Sequence, residues 1–205
     1  METQNGRIRG LQPDWRAVAI WAAGVAVFLA FVAFLAAVGI DLDRIARDSN
    51  ETTDAPIETG ALSRFTLILW GGTAMGAALV ALIAADKPTR WMFGLLAVGL
   101  AGLGLDDGLL IHEVVLPKFG IPEKVVLATW TVLAGIWLVR YAPRIRGVNR
   151  TLGVLALGAF AGSLAVDNLA HHEWVEDVLK AIGVATLLVV VAGELSAAVE
   201  ARHRG

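Results

Sequence analysis

Six stretches of about 20 mostly apolar residues constrain the fold of this chain more than any other feature. A segment of that length crosses a bilayer as an α-helix, because a helix satisfies its backbone hydrogen bonds internally. We therefore predict an all-α integral membrane protein with six transmembrane helices in a single membrane domain, residues 1–205. The predicted spans are Ala17–Ile40, Phe65–Ala85, Trp91–Ile111, Val125–Tyr141, Thr151–Ala170 and Val178–Val199.

The composition supports a lipid bilayer as the main partner. Hydrophobic residues make up 57% of the chain and charged residues only 18%, whereas soluble domains carry roughly 25% charged residues. The formal net charge is -2, and no long basic run is present, so we expect no binding to nucleic acid. Cysteine is absent, which excludes disulfides, thiolate metal sites and cysteine nucleophiles.

The distribution of charge predicts the orientation of the spans. Lys and Arg are concentrated in the segments that lie inside if the N-terminus is cytoplasmic, and acidic residues are concentrated in the others. We expect a cell-membrane protein with a cytoplasmic N-terminal segment (1–16) and a cytoplasmic C-terminal tail (200–205). An acidic loop (41–63) should lie outside. Glycines at four-residue spacing predict close packing seams inside the bundle at three pairs, Gly72 and Gly76, Gly104 and Gly108, and Gly158 and Gly162.

The third and fifth spans end in similar sequences, which indicates an internal repeat. Residues 105–113 read LDDGLLIHE and residues 165–173 read AVDNLAHHE, so both contain Asp-x4-His-Glu. Because the copies are two spans apart, they should emerge on the same, outer side of the membrane. We predict a parallel repeat of spans 3–4 and 5–6.

Ionisable side chains at the membrane boundary are costly unless they face a wet cavity, a partner or a metal. Carboxylates and imidazoles together suit one or two divalent transition-metal ions, namely Fe, Mn or Zn. We therefore predict a metal site and treat Glu194, near the inner end of the last span, as a candidate relay residue. The candidate ligands are Asp106, Asp107, His112, Glu113, Asp167, His171, His172, Glu173 and Glu176.

The spacing leaves the ligand subset open. On a regular helix Asp107 and His112 lie about 140° apart, whereas Asp106 and Glu113 are nearly in line. Either a π-bulge or helix end near Gly108 rotates His112 back toward Asp107, or the site uses Asp106, Glu113, Asp167, His171 and others in register.

Four functions are compatible with this pattern. The favoured hypothesis is a metal-dependent membrane enzyme that hydrolyses or oxidises a lipid or other amphiphile. A divalent-cation or proton transporter and a non-catalytic assembly subunit are the alternatives, and haem held between His112 and His172 ranks below them. No nucleotide-binding or serine-hydrolase motif is present in the sequence.

Overall fold

Six long helices make up most of the structure, a computed structural model that describes residues 15–39, 42, 60–145, 147–169 and 173–203. Among these residues we find no strand. A π-helical turn, Ile111–Val115, and a single helical turn, Leu116–Lys118, connect α3 to α4, and a 3-10 turn, Ala142–Arg144, follows α4. The long helices are α1 (Trp15–Ala37), α2 (Ala61–Ile83), α3 (Lys87–Gly108), α4 (Glu123–Tyr141), α5 (Gly147–Leu169) and α6 (Glu173–His203).

Five of these helices, α2 to α6, contain stretches long and apolar enough to cross a membrane. The architecture is therefore compatible with a helical membrane protein. In α1 the described apolar stretch, Trp21–Ala37, is shorter, so the six-span count stays a prediction. The internal repeat also stays a prediction, because residues 170–172 of its second copy lie outside the described residues.

The helix boundaries follow from local chemistry. The Asp86 side chain precedes α3 and accepts a hydrogen bond of 2.9 Å from the backbone N–H of Thr89, which caps the helix. Pro88 occupies the first turn, where its missing N–H costs nothing. Within the predicted outer loop (41–63), α2 already begins at Ala61, and α6 continues to His203 in the predicted C-terminal tail.

Helix α6 forms the centre of the bundle and packs extensively against α2 and α5. Its Val184 and Val191 are fully or almost fully buried, at 0% and 1% exposed. Trp70 of α2 stacks on Phe160 of α5 with a centroid separation of 5.6 Å. Apolar side chains therefore fill most of the space between α2, α5 and α6, and the hydroxyls of buried Thr73 and Thr186 donate to backbone oxygens of their own helices.

Helices α2 and α3 approach each other closely at Gly104, as the small-residue spacing predicts. A Cβ atom at Gly104 would lie 2.8 Å from Cβ of Trp70, and one at Gly108 would lie 2.8 Å from Cδ1 of Leu67. Such distances are shorter than normal carbon contacts. The two glycines therefore let α3 carry its last turn, with Asp106 and Asp107, against the bundle.

Helix α4 lies at the edge of the bundle and contacts α3 over a small area. Among its described side chains only Tyr141 is buried. Val132 and Val139 are 59% and 80% exposed, which suits a helix surrounded by lipid chains. One of its polar contacts, from Trp130 to Asp106 on α3, belongs to the site described next.

Candidate functional site

The end of α3 bends the chain so that the residues after it turn back toward the helix. Leu110 adopts a left-handed conformation with φ 50° and ψ 41°, which costs an L-residue about 1–2 kcal/mol. The π-helical turn Ile111–Val115 follows directly. This departure from a regular helix changes the direction of His112, which on a continuous helix would lie far around the axis from Asp107.

His112 is placed between two carboxylates. Its Nδ1 lies 3.2 Å from Oδ2 of Asp106, and its Nε2 lies 3.3 Å from Oε1 of Glu113. The first contact has the distance of an ion pair without the alignment of a hydrogen bond, because Nδ1 has no aligned acceptor among the described residues. The π turn therefore brings His112 to Asp106 and not to Asp107, the partner in the first of the two alternatives left open by the spacing.

Asp106 is buried, at 5% exposed, and a side chain of the neighbouring helix α4 contacts it. The indole Nε1 of Trp130 on α4 donates a hydrogen bond of 2.9 Å to its Oδ2. Gly102 makes room for this contact, because a Cβ atom there would lie 2.6 Å from Cη2 of Trp130. A buried carboxylate with a hydrogen-bond donor and an imidazole beside it is well satisfied.

The electrostatics of this turn favour charged side chains. Burial acts to lower the pKa of His112, but the hydrogen bond with Glu113 and the charges of Asp106 and Glu113 outweigh it and raise that pKa above 6.5. The hydrogen bond from His112 lowers the pKa of Glu113 below 4.5, and the charge of Lys180 acts in the same direction. The two carboxylates therefore favour the protonated form of His112 relative to a free imidazole.

A second charged group lies beside the first and joins α3 to α6. Nζ of Lys180 lies 2.8 Å from Oδ1 of Asp107, and 3.4 Å from Oε1 of Glu176 and from Oδ1 of Asp177. Asp167 on α5 is close enough to Glu176 for their charges to interact. One ammonium thus faces three carboxylates. We call the combined group around His112 and Lys180 the acidic end; its members are Asp106, Asp107, His112, Glu113, Asp167, Glu176, Asp177 and Lys180.

The predicted candidates divide into those brought together and those not described. Asp106 and Glu113 contact His112 directly. Asp107 and Glu176 contact Lys180, and Asp167 lies near Glu176. His171, His172 and the side chain of Glu173 lie outside the described residues. Within the described part of the chain, no three His, Asp or Glu side chains are arranged as a metal-binding group.

Glu194, the candidate relay residue, lies far from the acidic end along α6. Its Oε1 accepts a hydrogen bond of 2.6 Å from Nδ2 of Asn149 at the start of α5. This contact joins the start of α5 to the C-terminal part of α6, away from the acidic end. Nothing in the sequence around Glu194 points to Asn149 as its partner, because the two residues are 45 positions apart.

Sequence reasoning also missed Lys180 and Trp130, although each carried a signal. Lys180 follows Glu176 by four residues and Asp177 by three, so the three side chains share one face of α6. Trp130 lies inside an apolar span, where an indole N–H requires a polar partner. Pairing these signals with acidic residues on α3 depends on which helices are neighbours, which the sequence does not contain.

An apolar pocket of about 380 Å³ lies beside Asp106, between α3, the π turn and α4. Leu116 and Ile121 lie at the end of the pocket near the connection, and Val126 and Leu133 line its α4 side. Among the described residues that line it, Asp106 is the one that ionises. The pocket therefore combines a hydrocarbon surface with a single buried carboxylate, in a volume typical of small-ligand sites.

Comparison with known proteins gives a family but no functional relative. No curated protein and no solved structure matches the chain. The family match extends over residues 17–193, which includes every predicted site residue except Glu194. The chain thus belongs to the DUF8692 family, whose description is a domain of unknown function.

Proposed function

We propose that this protein is a membrane enzyme that acts on a lipid or other amphiphile and uses a divalent metal ion at its acidic end. The observation that carries the proposal is the placement of His112, with Nε2 3.3 Å from Oε1 of Glu113 and Nδ1 facing buried Asp106. We name Fe, Mn or Zn, as one or two ions, because the donor set is imidazole and carboxylate.

The separation of the two donor atoms supports this choice. Two ligands of a tetrahedral metal with bonds of about 2.0–2.1 Å lie about 3.3 Å apart, which matches the separation of Nε2 and Oε1. A ligating histidine commonly directs its other ring nitrogen to a carboxylate, which orients the ring. Asp106 stands in that position, and Trp130 holds Asp106.

Two donors do not complete a metal site, and the second copy of the repeat supplies the remaining candidates. His171, His172 and Glu173 follow the end of α5, and Asp167 in its last turn lies near Glu176. When bound, a metal supplies hydroxide for hydrolysis at neutral pH, or oxygen chemistry if it is iron. His112 and Glu113 would hold it, and Asp106 would orient His112.

The position of the pocket supports an amphiphilic substrate. It lies next to α3 and α4, two of the helices suited to cross a membrane, and it is lined almost entirely by apolar side chains. Glu113 beside it is 49% exposed and so can be reached from the aqueous side. A molecule with its chain in this pocket would have its polar part close to His112 and Glu113.

Elemental analysis of the protein purified without chelators tests the proposal. We expect about one or two Fe, Mn or Zn per chain, a loss of most of it in His112→Ala, and a similar loss in the His171→Ala/His172→Ala double variant. His203→Ala is the matched control, since this exposed histidine lies at the far end of α6, and it should retain the metal. A folded wild-type protein without these metals would contradict the proposal, as would a His112→Ala variant that keeps its full content.

Proton or cation transport is a second candidate, favoured by the charged groups along α6. Lys180 contacts three carboxylates at one end, and Glu194 follows about 21 Å further along the helix at about 1.5 Å per residue. Ionisable residues inside membrane spans are often part of ion pathways. Proton or metal flux into proteoliposomes that is lost in Glu194→Gln would favour transport over catalysis.

A further inference from the structure

The pocket beside Asp106 has the size for one hydrocarbon chain. Its volume of about 380 Å³ lies near the lower end of the range for small-ligand pockets, roughly 300–1,000 Å³. Its lining includes α4 residues from Val125 to Leu133 and, on α3, Gly102 and Asp106. An apolar pocket of this volume suits a single chain better than the two chains of a phospholipid.

Asp106, the ionisable residue among the described lining residues, determines which head group a ligand of this pocket can carry. Both contacts that Asp106 makes with described side chains, from Trp130 and from His112, fall on Oδ2. Oδ1 has no contact with a described side chain, and Asp106 is among the residues that line the pocket. A buried carboxylate attracts a cation and repels an anion more strongly than a carboxylate in water, because the local dielectric constant is lower.

The surroundings of the pocket act in the same direction. Among the described residues of the acidic end, carboxylates outnumber cationic side chains. Lys180 is already paired with three carboxylates. The described carboxylates are Asp106, Asp107, Glu113, Asp167, Glu176 and Asp177, against His112 and Lys180.

We infer that the pocket binds a single-chain amphiphile with a cationic amine head, with the chain along α4 and the amine against Asp106. This inference rests on the proposed function, because it names the substrate class of the same site. On this inference, fatty acids and lipid phosphates do not bind in the pocket. Binding needs only the pocket and Asp106, so it can be measured separately from metal content.

Tryptophan fluorescence offers a direct readout, because Trp130 lines the pocket. The protein in nonionic detergent is titrated with a long-chain primary amine whose chain carries bromine, which quenches a contacting indole. The carboxylate and the phosphate monoester of the same brominated chain serve as comparison probes. Trp130→Phe removes the reporter. Trp137→Phe is the matched control, since Trp137 lies on the same helix and donates instead to the backbone oxygen of Met92.

We expect the amine to quench Trp130 at a concentration about tenfold or more below that needed for the other two probes. The quenching should be lost in Trp130→Phe and retained in Trp137→Phe. In Asp106→Asn the preference for the amine should disappear, while the amide oxygen still accepts from Trp130. Val126→Trp should fill the pocket and weaken all three probes, whereas Val132→Trp, at a position 59% exposed on the same helix, should not.

Equal quenching by the three probes would overturn the inference, as would an unchanged amine preference in Asp106→Asn. Quenching that survives Trp130→Phe would also overturn it. Circular dichroism of each variant establishes that it is folded, and the conservative Asp106→Asn change provides the test if Val126→Trp does not fold. Metal content of the same samples separates the proposals: metal without amine preference contradicts this inference alone, and amine preference without metal contradicts the metal-dependent enzyme alone.

Discussion

Nζ of Lys180 on α6 lies 2.8 Å from Oδ1 of Asp107 on α3, two residues that are 73 positions apart in the sequence. This ion pair fastens the last turn of α3 to the first turns of α6. Both side chains are 20% exposed, so the pair is mostly removed from water. Its neighbours Glu176 and Asp177 make Lys180 the shared counter-ion of three carboxylates.

Lys180→Met should therefore destabilise the protein strongly. The variant leaves Asp107, Glu176 and Asp177 close together without their common cation, and breaking a buried pair costs about 3–5 kcal/mol. Because the group is partly solvated, we expect a loss of free energy of unfolding at the lower end of that range. Denaturant titration in detergent, followed by circular dichroism, measures it.

The control for this variant is Lys118→Met, at an exposed position, which should change stability by less than about 0.5 kcal/mol. Adding Asp107→Asn to Lys180→Met should recover part of the loss, because one unpaired charge is removed. If Lys180→Met and Lys118→Met were equally stable, the ion-pair group would have no stabilising role.

Trp130→Phe should destabilise the contact between α3 and α4. The substitution keeps most of the ring but removes the N–H that donates to Oδ2 of Asp106 at 2.9 Å. A buried acceptor left without its donor costs about 1–3 kcal/mol, with the larger values for charged groups. Thermal unfolding in detergent should show a lower midpoint than for wild type.

Trp137→Phe is the comparison for that measurement. Trp137 donates to the backbone oxygen of Met92 at 2.9 Å, which is a neutral acceptor inside α3. We expect a smaller loss, about 1 kcal/mol. An equal or larger effect at Trp137 would show that the charge of Asp106 is not what makes the Trp130 contact important.

Gly104→Ala and Gly99→Ala should change stability in opposite directions. Both glycines are in α3, but a Cβ at Gly104 would lie 2.8 Å from Cβ of Trp70, whereas nothing lies within 4 Å of a Cβ at Gly99. Forcing α2 and α3 apart typically costs about 1–3 kcal/mol. Alanine at Gly99 should be neutral or stabilising by up to about 1 kcal/mol, as the better helix former.

The same unfolding assay compares the two variants side by side. A stable Gly104→Ala protein would mean that the seam between α2 and α3 adjusts without cost. A destabilised Gly99→Ala protein would mean that α3 makes a contact at Gly99 that the described residues do not contain.

Asp86 should make a pH-dependent contribution to the stability of α3. Its hydrogen bond with Thr89 lowers the pKa of Asp86 below 3.8 in the folded protein. Because the folded pKa is depressed, the contribution is present above 3.8 and is lost as the pH falls through the lower, folded pKa. Asp86→Ala should cost about 1 kcal/mol at neutral pH, as for other N-caps.

The difference in unfolding free energy between wild type and Asp86→Ala should therefore narrow in acid. Asp86→Asn provides the control, since asparagine caps a helix without ionising, and its advantage over alanine should not vary with pH. A wild-type advantage that grows as the pH falls would contradict this sign.

Much of the helical architecture is determined by the sequence, because a bilayer leaves the backbone few alternatives. The apolar runs that end near Ala85, Ile111 and Tyr141 correspond to α2, α3 and α4 within a few residues. The spacing of Gly104 and Gly108 indicates where two helices approach closely, whereas a Cβ at Gly72 or Gly158 would meet no described atom within 4 Å. The two Asp-x4-His-Glu sequences contain Asp107, His112, Glu113 and Asp167, all of which belong to the acidic end.

Only the tertiary structure decided which of those residues meet. Asp107 rather than Asp106 is aligned with the repeat, yet the left-handed Leu110 and the π turn bring His112 to Asp106, because they change the angular register after Gly108. Lys180 and Trp130 reach their carboxylates across helix contacts set by the packing of α6 and α4 on α3. A local sequence pattern specifies the period of a helix, whereas its neighbours depend on how side chains far apart in the chain fill a common space.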